Sequence, residues 1–260
     1  MYYYIFDIKK CKKRSQVQEI KDYLGSLGIA GEYTYPTAAQ NANELVSIGL
    51  SKQYSTFVAV GGDEIANAVA GRLVGRKEAF GVIPLEATPE LYRLIGVNHW
   101  REACESLRFR KISEIRLGQT ASGYAFLTKT SLAINGSTEI TLEFKDFIIQ
   151  TRATTLTVSM FDPKIKKIGD DYLDVTISSA NPTESQFVNR ISSFFGSKKP
   201  QEKIFNSIFR GRSLRIFTKS PTGLICGSAV VAKTPQLIES SDEKLRLVTS
   251  KNSAQDWNKE

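Results

Sequence analysis

The chain has 260 residues, 41% hydrophobic and 24% charged, with 35 Lys and Arg against 27 Asp and Glu for a formal charge of +8. That size and balance describe a globular protein with a real core and exclude a disordered or fibrous chain. No apolar run approaches the roughly 20 residues needed to span a bilayer, and the opening Met1-Tyr2-Tyr3-Tyr4-Ile5-Phe6 lacks the basic front of an export signal, so a cytoplasmic protein is expected.

Taken in chain order, the first 115 residues alternate short apolar strands with helical segments. Strands are predicted at Tyr2–Asp7, Glu32–Tyr35, Phe57–Val60 and Ala79–Pro84, and helices at Gln16–Gly28, Ala39–Leu50, Glu64–Val74 and His99–Phe109. Such alternation means βαβ units, hence a parallel sheet with helices on both faces. The Tyr2-Tyr3-Tyr4 run reads as the edge of the first strand, and Trp100 as a helix-face anchor. After residue 115 strands dominate: Glu114–Leu117, Tyr124–Leu132, Glu139–Phe144, Phe147–Thr151, Leu156–Met160, Leu173–Ser179, Leu214–Thr218, Leu224–Val231 and Leu245–Val248. Asn135-Gly136 and Lys145-Asp146 supply hairpin signals among them, and one helix is expected near Pro182–Phe195. Residues 1–115 thus form one expected domain, 116–239 a β-rich second domain, 240–250 a return to the first, and 251–260 a polar tail.

The most informative stretch is Phe57 to Leu73, FVAVGGDEIANAVAGRL. An apolar strand ending in Gly61-Gly62 lets backbone N–H groups approach an anion, and the helix that follows directs its positive end to the same place. Glu64 plants a carboxylate where such an anion would lie. The plain alternative is a tight turn with an acidic helix start, since Gly supplies unusual backbone angles and Asp caps helices. Two basic clusters stand out, one at Lys9, Lys10, Lys12, Lys13 and Arg14, the other from Lys198 to Lys219 with Phe205, Phe209 and Phe217 interleaved. Either suits an anionic partner or a solvated face. Cys11, Cys104 and Cys226 lack paired spacing and read as ordinary thiols. His99, the single histidine, excludes a two-histidine metal site and reads as a cap or surface residue.

In the order of these segments the chain resembles the diacylglycerol kinase catalytic family, which shares its fold with NAD kinases. The family's Gly-Gly-Asp-Gly-Thr-x-Asn loop matches Gly61, Gly62, Asp63 and Asn67; Gly81-Val82-Ile83-Pro84-Leu85 echoes its second loop; Asp171-Tyr172-Leu173-Asp174-Val175 is similar to a segment of its second domain. Thr234-Pro235 and Leu245-Arg246-Leu247 resemble its last strands. The resemblance implies an α/β fold, with a three-layer N-terminal domain and a mainly antiparallel β C-terminal domain. It also implies transfer of the ATP γ-phosphoryl group to a lipid hydroxyl with Mg2+. Residues for the nucleotide would be Gly61, Gly62, Asp63, Glu64, Asn67, Lys9, Lys10 and Glu86, with Asp63 the catalytic candidate. Asp171 and Asp174 suit a metal site in the family and equally a turn and a solvent face.

Four elements depart from the family pattern. The first-strand phosphate contact has become Asp7-Ile8-Lys9-Lys10; Glu64 and Ile65 replace Gly and Thr; Glu86-Ala87-Thr88-Pro89 replaces Gly-Thr-Gly-Asn; and the Asp-Gly-Glu element, whose Glu resembles a general base, appears as Cys226-Gly227-Ser228. A carboxylate about 5 Å from a triphosphate opposes binding by roughly 3 kcal/mol at an effective dielectric near 20. The expectation is a lipid-kinase-like protein with phosphoryl transfer weak or lost. The alternatives are an active ATP- and Mg2+-dependent lipid kinase with altered loops, and a non-catalytic module for an anionic lipid surface or, less favoured, nucleic acid. A peripheral position at the membrane and a homodimer fit any of them.

Overall fold

The computed structural model describes residues 1–11, 14–160, 171–180 and 204–250. In chain order the elements are β1 (Tyr2–Phe6), α1 (Arg14–Ser26), β2 (Gly31–Thr34), α2 (Ala42–Ser51), β3 (Thr56–Gly61), α3 (Asp63–Leu73), β4 (Ala79–Pro84), α4 (Pro89–Ile95) and α5 (Trp100–Phe109). There follow β5 (Lys111–Ile115), β6 (Gly118–Thr120), β7 (Ala125–Phe126), β8 (Lys129–Leu132), β9 (Thr138–Glu143), β10 (Ile148–Ala153), β11 (Thr155–Ser159) and β12 (Leu173–Ala180). The last are β13 (Ile204–Gly211), β14 (Ser213–Thr218), β15 (Gly223–Cys226), β16 (Ala229–Lys233), β17 (Gln236–Ser240) and β18 (Leu245–Thr249).

The first sheet has the order β2-β1-β3-β4-β18-β5, parallel through β18 with β5 antiparallel at the edge. β3 and β4 are buried along their whole length, which is why they read as unbroken apolar runs. α2 packs with α3 and α1 with α5, and the two pairs cover opposite faces. The Tyr2-Tyr3-Tyr4 run is not an edge. β1 lies between β2 and β3, Tyr3 and Tyr4 are buried, and the Tyr4 hydroxyl donates to the Ile29 carbonyl at 2.5 Å. An aromatic strand with one polar tip per ring can be central when that tip finds an internal acceptor.

The second domain pairs two six-stranded sheets, β10-β9-β14-β17-β6-β7 and β13-β12-β11-β8-β15-β16, over a core that includes Phe126, Leu142, Val158, Val175, Leu214 and Leu224. Two expected single strands are divided. Tyr124–Leu132 becomes β7 and β8, which belong to different sheets, and Leu224–Val231 folds back as the β15–β16 hairpin about Gly227, whose φ is +61°. Asn135-Gly136 links one sheet to the other, whereas Lys145-Asp146 does turn the β9–β10 hairpin. Sequence reasoning missed α4, β6, β13 and β17. The expected helix at Pro182–Phe195 lies outside the described residues.

The chain passes between the domains twice, at residues 116–117 and 241–244. The Ser241 N–H donates to the Leu117 carbonyl at 2.8 Å and the Leu117 N–H to Ser241 Oγ at 3.0 Å. Arg116 reinforces the crossing by donating to the Ser241 and Asp242 carbonyls and to Asp171. Just beyond, Gly118 meets the face of the Phe126 ring, whose Cζ lies 2.1 Å from the position of an added β-carbon. Gly118→Ala is therefore expected to lower stability by about 1–3 kcal/mol through overpacking, measured by urea denaturation.

Candidate functional site

The strand–turn–helix of residues 56–73 opens onto the second domain. At Gly61, φ is +154°, and a β-carbon there would come within 2.8 Å of Asp7 Cβ and 2.9 Å of Ile65 Cγ2, so glycine is required on both grounds. Gly62 caps α3 without a side-chain bond. Lys10 lies over it, with Cε 3.5 Å from where a Gly62 β-carbon would stand. Asp7 begins the one-turn 3-10 helix Ile8–Lys10 by accepting from the Lys9 N–H at 3.1 Å, which places Lys10 above the turn. Lys9 is on the same short helix. Lys12, Lys13 and the Lys198–Lys203 part of the second basic cluster lie outside the described residues.

Asp63 is 8% exposed and fully engaged. Its carboxylate accepts from the Thr88 N–H and the Thr88 hydroxyl, both at 2.7 Å, tying the turn after β3 to the loop that starts α4. The Leu85 N–H, donating to the Gly61 carbonyl at 2.9 Å, adds a second tie. Glu86, between them, is exposed with φ +49°. Pro89 opens α4 at its first turn, where a missing N–H is harmless to the helix.

Asn67, one turn into α3, joins the two domains. Its Oδ1 accepts from the Leu127 N–H at 2.9 Å, and its Nδ2 donates to the Tyr124 hydroxyl at 3.2 Å and to Cys226 Sγ at 3.1 Å. Exposed Glu64 reaches the same hairpin at its tip, accepting from Ser228 Oγ at 2.8 Å. Glu90 on α4 pairs with Lys129 on β8 at 2.8 Å. Burial pushes the Cys226 thiol up to about 11, with the Asp63 and Glu64 charges adding to it, and burial likewise raises Tyr124. Ser228 was singled out in the sequence, but Tyr124 and Lys129 were not; only the folded contact reveals them, Tyr124 lying 57 residues from Asn67 and Lys129 39 residues from Glu90.

The remaining expected site residues lie with arginines. Asp171 is held by Arg116 Nε at 2.6 Å and Arg212 at 3.3 Å, and buried Asp174 by Arg210 Nε at 2.8 Å. Each carboxylate is thereby engaged at the crossing or on the outer β13–β12 pair, and the structure does not bring them to the Gly61-Gly62 turn. Among the described residues no three His, Cys, Asp or Glu side chains converge to hold a metal ion. Asp171 and Asp174 thus pair with different arginines rather than facing one another across a shared site. His99 is a cap: its Nδ1 accepts from the Arg101 N–H at 3.3 Å at the start of α5. No described helix is long and apolar enough to cross a membrane.

All three cysteines are free, and the buried Cys104 is raised by burial to about 12. Both Cys104 and Cys226 keep protons that the unfolded chain releases near pH 9, so their contribution to stability is complete below that pH and lost as pH rises toward 11–12. Alkylation at pH 8 is expected to label Cys11, with Cys104 and Cys226 reacting only after denaturation, as read by mass spectrometry. Labelling of Cys226 in the native protein at the Cys11 rate would contradict the Asn67 contact.

Residues 9–120 match the family model of the diacylglycerol kinase catalytic domain. No curated protein matches the chain in sequence. Among solved structures, a diacylglycerol kinase from Bacillus anthracis str. Sterne is similar at a TM-score of 0.70 and 14% identity, over 96% of this chain and 97% of that one. A second Bacillus anthracis str. Sterne protein, assigned as a diacylglycerol kinase, gives a TM-score of 0.72 at 13% identity over the same shares. An NAD kinase from Archaeoglobus fulgidus, solved with ATP, gives 0.52 at 12% identity over 96% of this chain and 94% of that one. The chain thus carries a diacylglycerol kinase catalytic-domain match in residues 9–120 and, along nearly its whole length, the kinase-like two-domain fold common to these enzymes and NAD kinases.

Proposed function

We propose that the chain is a diacylglycerol-kinase-like protein whose ATP-dependent phosphoryl transfer to a lipid hydroxyl is strongly reduced, while a phosphate-bearing ligand still binds at the cleft. The lipid acceptor is suggested by the family match over residues 9–120, and ATP by the likeness to an NAD kinase solved with it. The observation that carries the reading is the Glu64–Ser228 contact. The hairpin tip offers a hydroxyl where an acceptor's proton would need a carboxylate, and the carboxylate at hand sits instead at the phosphate turn.

Magnitudes favour weak turnover over none. A serine hydroxyl is far too weak a base at neutral pH to deprotonate an alcohol, and a positioned base contributes roughly 10²–10⁴-fold. Asp63 is a poor substitute, because acting as a base would cost the two 2.7 Å hydrogen bonds to Thr88 that hold the α4 loop. The turn itself favours phosphate through Gly61 and Gly62, the start of α3 and the overlying Lys10. Glu64 opposes it by about 3 kcal/mol at ~5 Å and an effective dielectric near 20.

Incubation with ATP, magnesium and vesicles containing diacylglycerol is expected to give no more than about 0.1 turnovers per second, some hundredfold below the typical ~10 per second of enzymes. Several turnovers per second, measured as lipid-bound phosphate, would overturn this reading in favour of an active kinase with altered loops.

A further inference from the structure

We infer that the Glu64 carboxylate is an internal occupant of the phosphate turn held in place by Ser228, so that the Glu64–Ser228 bridge and a bound polyphosphate exclude one another. The inference rests on the reading of this cleft as a phosphate seat and specifies what controls it.

Glu64 is the second residue of α3, where N–H groups lack helical partners and the positive end of the helix attracts an anion. An exposed glutamate in such a place is free to extend into solvent. This one does not: its Oε1 accepts from a hydroxyl 164 residues away in the other domain. The hydroxyl is presented by the rest of the interface. Asn67 fixes α3 against Leu127 and Cys226 on one side, and Glu90 fixes α4 against Lys129 on the other. The β15–β16 tip is thus delivered to Glu64 by contacts in which neither Glu64 nor Ser228 takes part. With the carboxylate caught there, a phosphate at Gly61-Gly62 meets a like charge at close range, and entry requires Glu64 to release Ser228 and swing outward. Ser228 acts as a catch on that carboxylate.

Plain repulsion and a catch differ in one respect. Repulsion depends on the Glu64 charge alone, whereas a catch also depends on an uncharged hydroxyl. The test is calorimetric titration of the full chain and its Glu64→Gln, Ser228→Ala and doubly substituted variants with ATP and, separately, inorganic tripolyphosphate, each with magnesium. Glu64→Gln is expected to tighten both ligands about tenfold or more, in line with removal of one nearby charge. Ser228→Ala is expected to tighten both about threefold, and the double variant no more than Glu64→Gln alone, because the two residues form one unit. Glu64→Asp, which keeps the charge but is too short to reach the hydroxyl, should behave as Ser228→Ala and leaves the hairpin untouched. Ser228→Ala without effect, or with weaker binding, overturns the catch, as does tightening confined to ATP. Absence of binding in every variant overturns the phosphate seat itself, and measurable binding indifferent to all the substitutions overturns the catch alone.

Discussion

A single buried amide sets the relation between the domains. Asn67 is 2% exposed and uses both ends of its side chain on the second domain: the carbonyl on the Leu127 N–H, the amino group on Tyr124 and Cys226. A buried amide without partners costs several times what one hydrogen bond contributes, so α3 is held in the one rotation and depth that satisfies all three. The close approach this needs is allowed by Gly71, where an added β-carbon would stand 3.0 Å from Ala125 Cβ. The meeting of Glu64 with Ser228 follows from that contact, and the Glu90–Lys129 pair braces the other side of the cleft.

Much of the first domain was legible in the sequence because its signals are local. Buried parallel strands make continuous apolar runs, and Ala79–Pro84 could be bounded to the residue for that reason. α4 was missed because its seven residues begin with a proline and end at Gly96 in the left-handed conformation, so turn signals bound it closely on both sides and it is too short for helical periodicity to show. In the second domain the strands were found but not their partition. Apolar alternation runs on through Tyr124–Leu132 whether or not the chain changes sheets there, so periodicity cannot register the change. Asn135-Gly136 misled in the same way, since a Gly turn in the left-handed region serves a sheet-to-sheet passage as well as a hairpin.

The cleft was legible in part. The Gly61-Gly62 turn could be read from strand, glycines and helix in sequence. What the side chains do there could not, because their partners are distant in the chain. Asp63 looked available and proves to be bound to Thr88; Asn67 looked like a ligand contact and proves to be a joint between domains. Asp171 and Asp174 resembled a metal pair, yet their neighbours are Arg116, Arg212 and Arg210, which the linear sequence places 36 or more residues away. A carboxylate's spacing says where it falls on a strand; only the cross-strand neighbour says whether it is already neutralised.

The position of β18 has a consequence for how the molecule is made. Its five residues, Leu245–Thr249, complete the first sheet between β4 and β5, although the β domain is encoded between β5 and β18. On the ribosome, therefore, the amino-terminal layer emerges early but waits with an open slot beside β4 until Leu245–Thr249 have followed the β domain. The inserted β unit has all its strands in hand sooner and can mature first, so the order of assembly runs opposite to the order of synthesis.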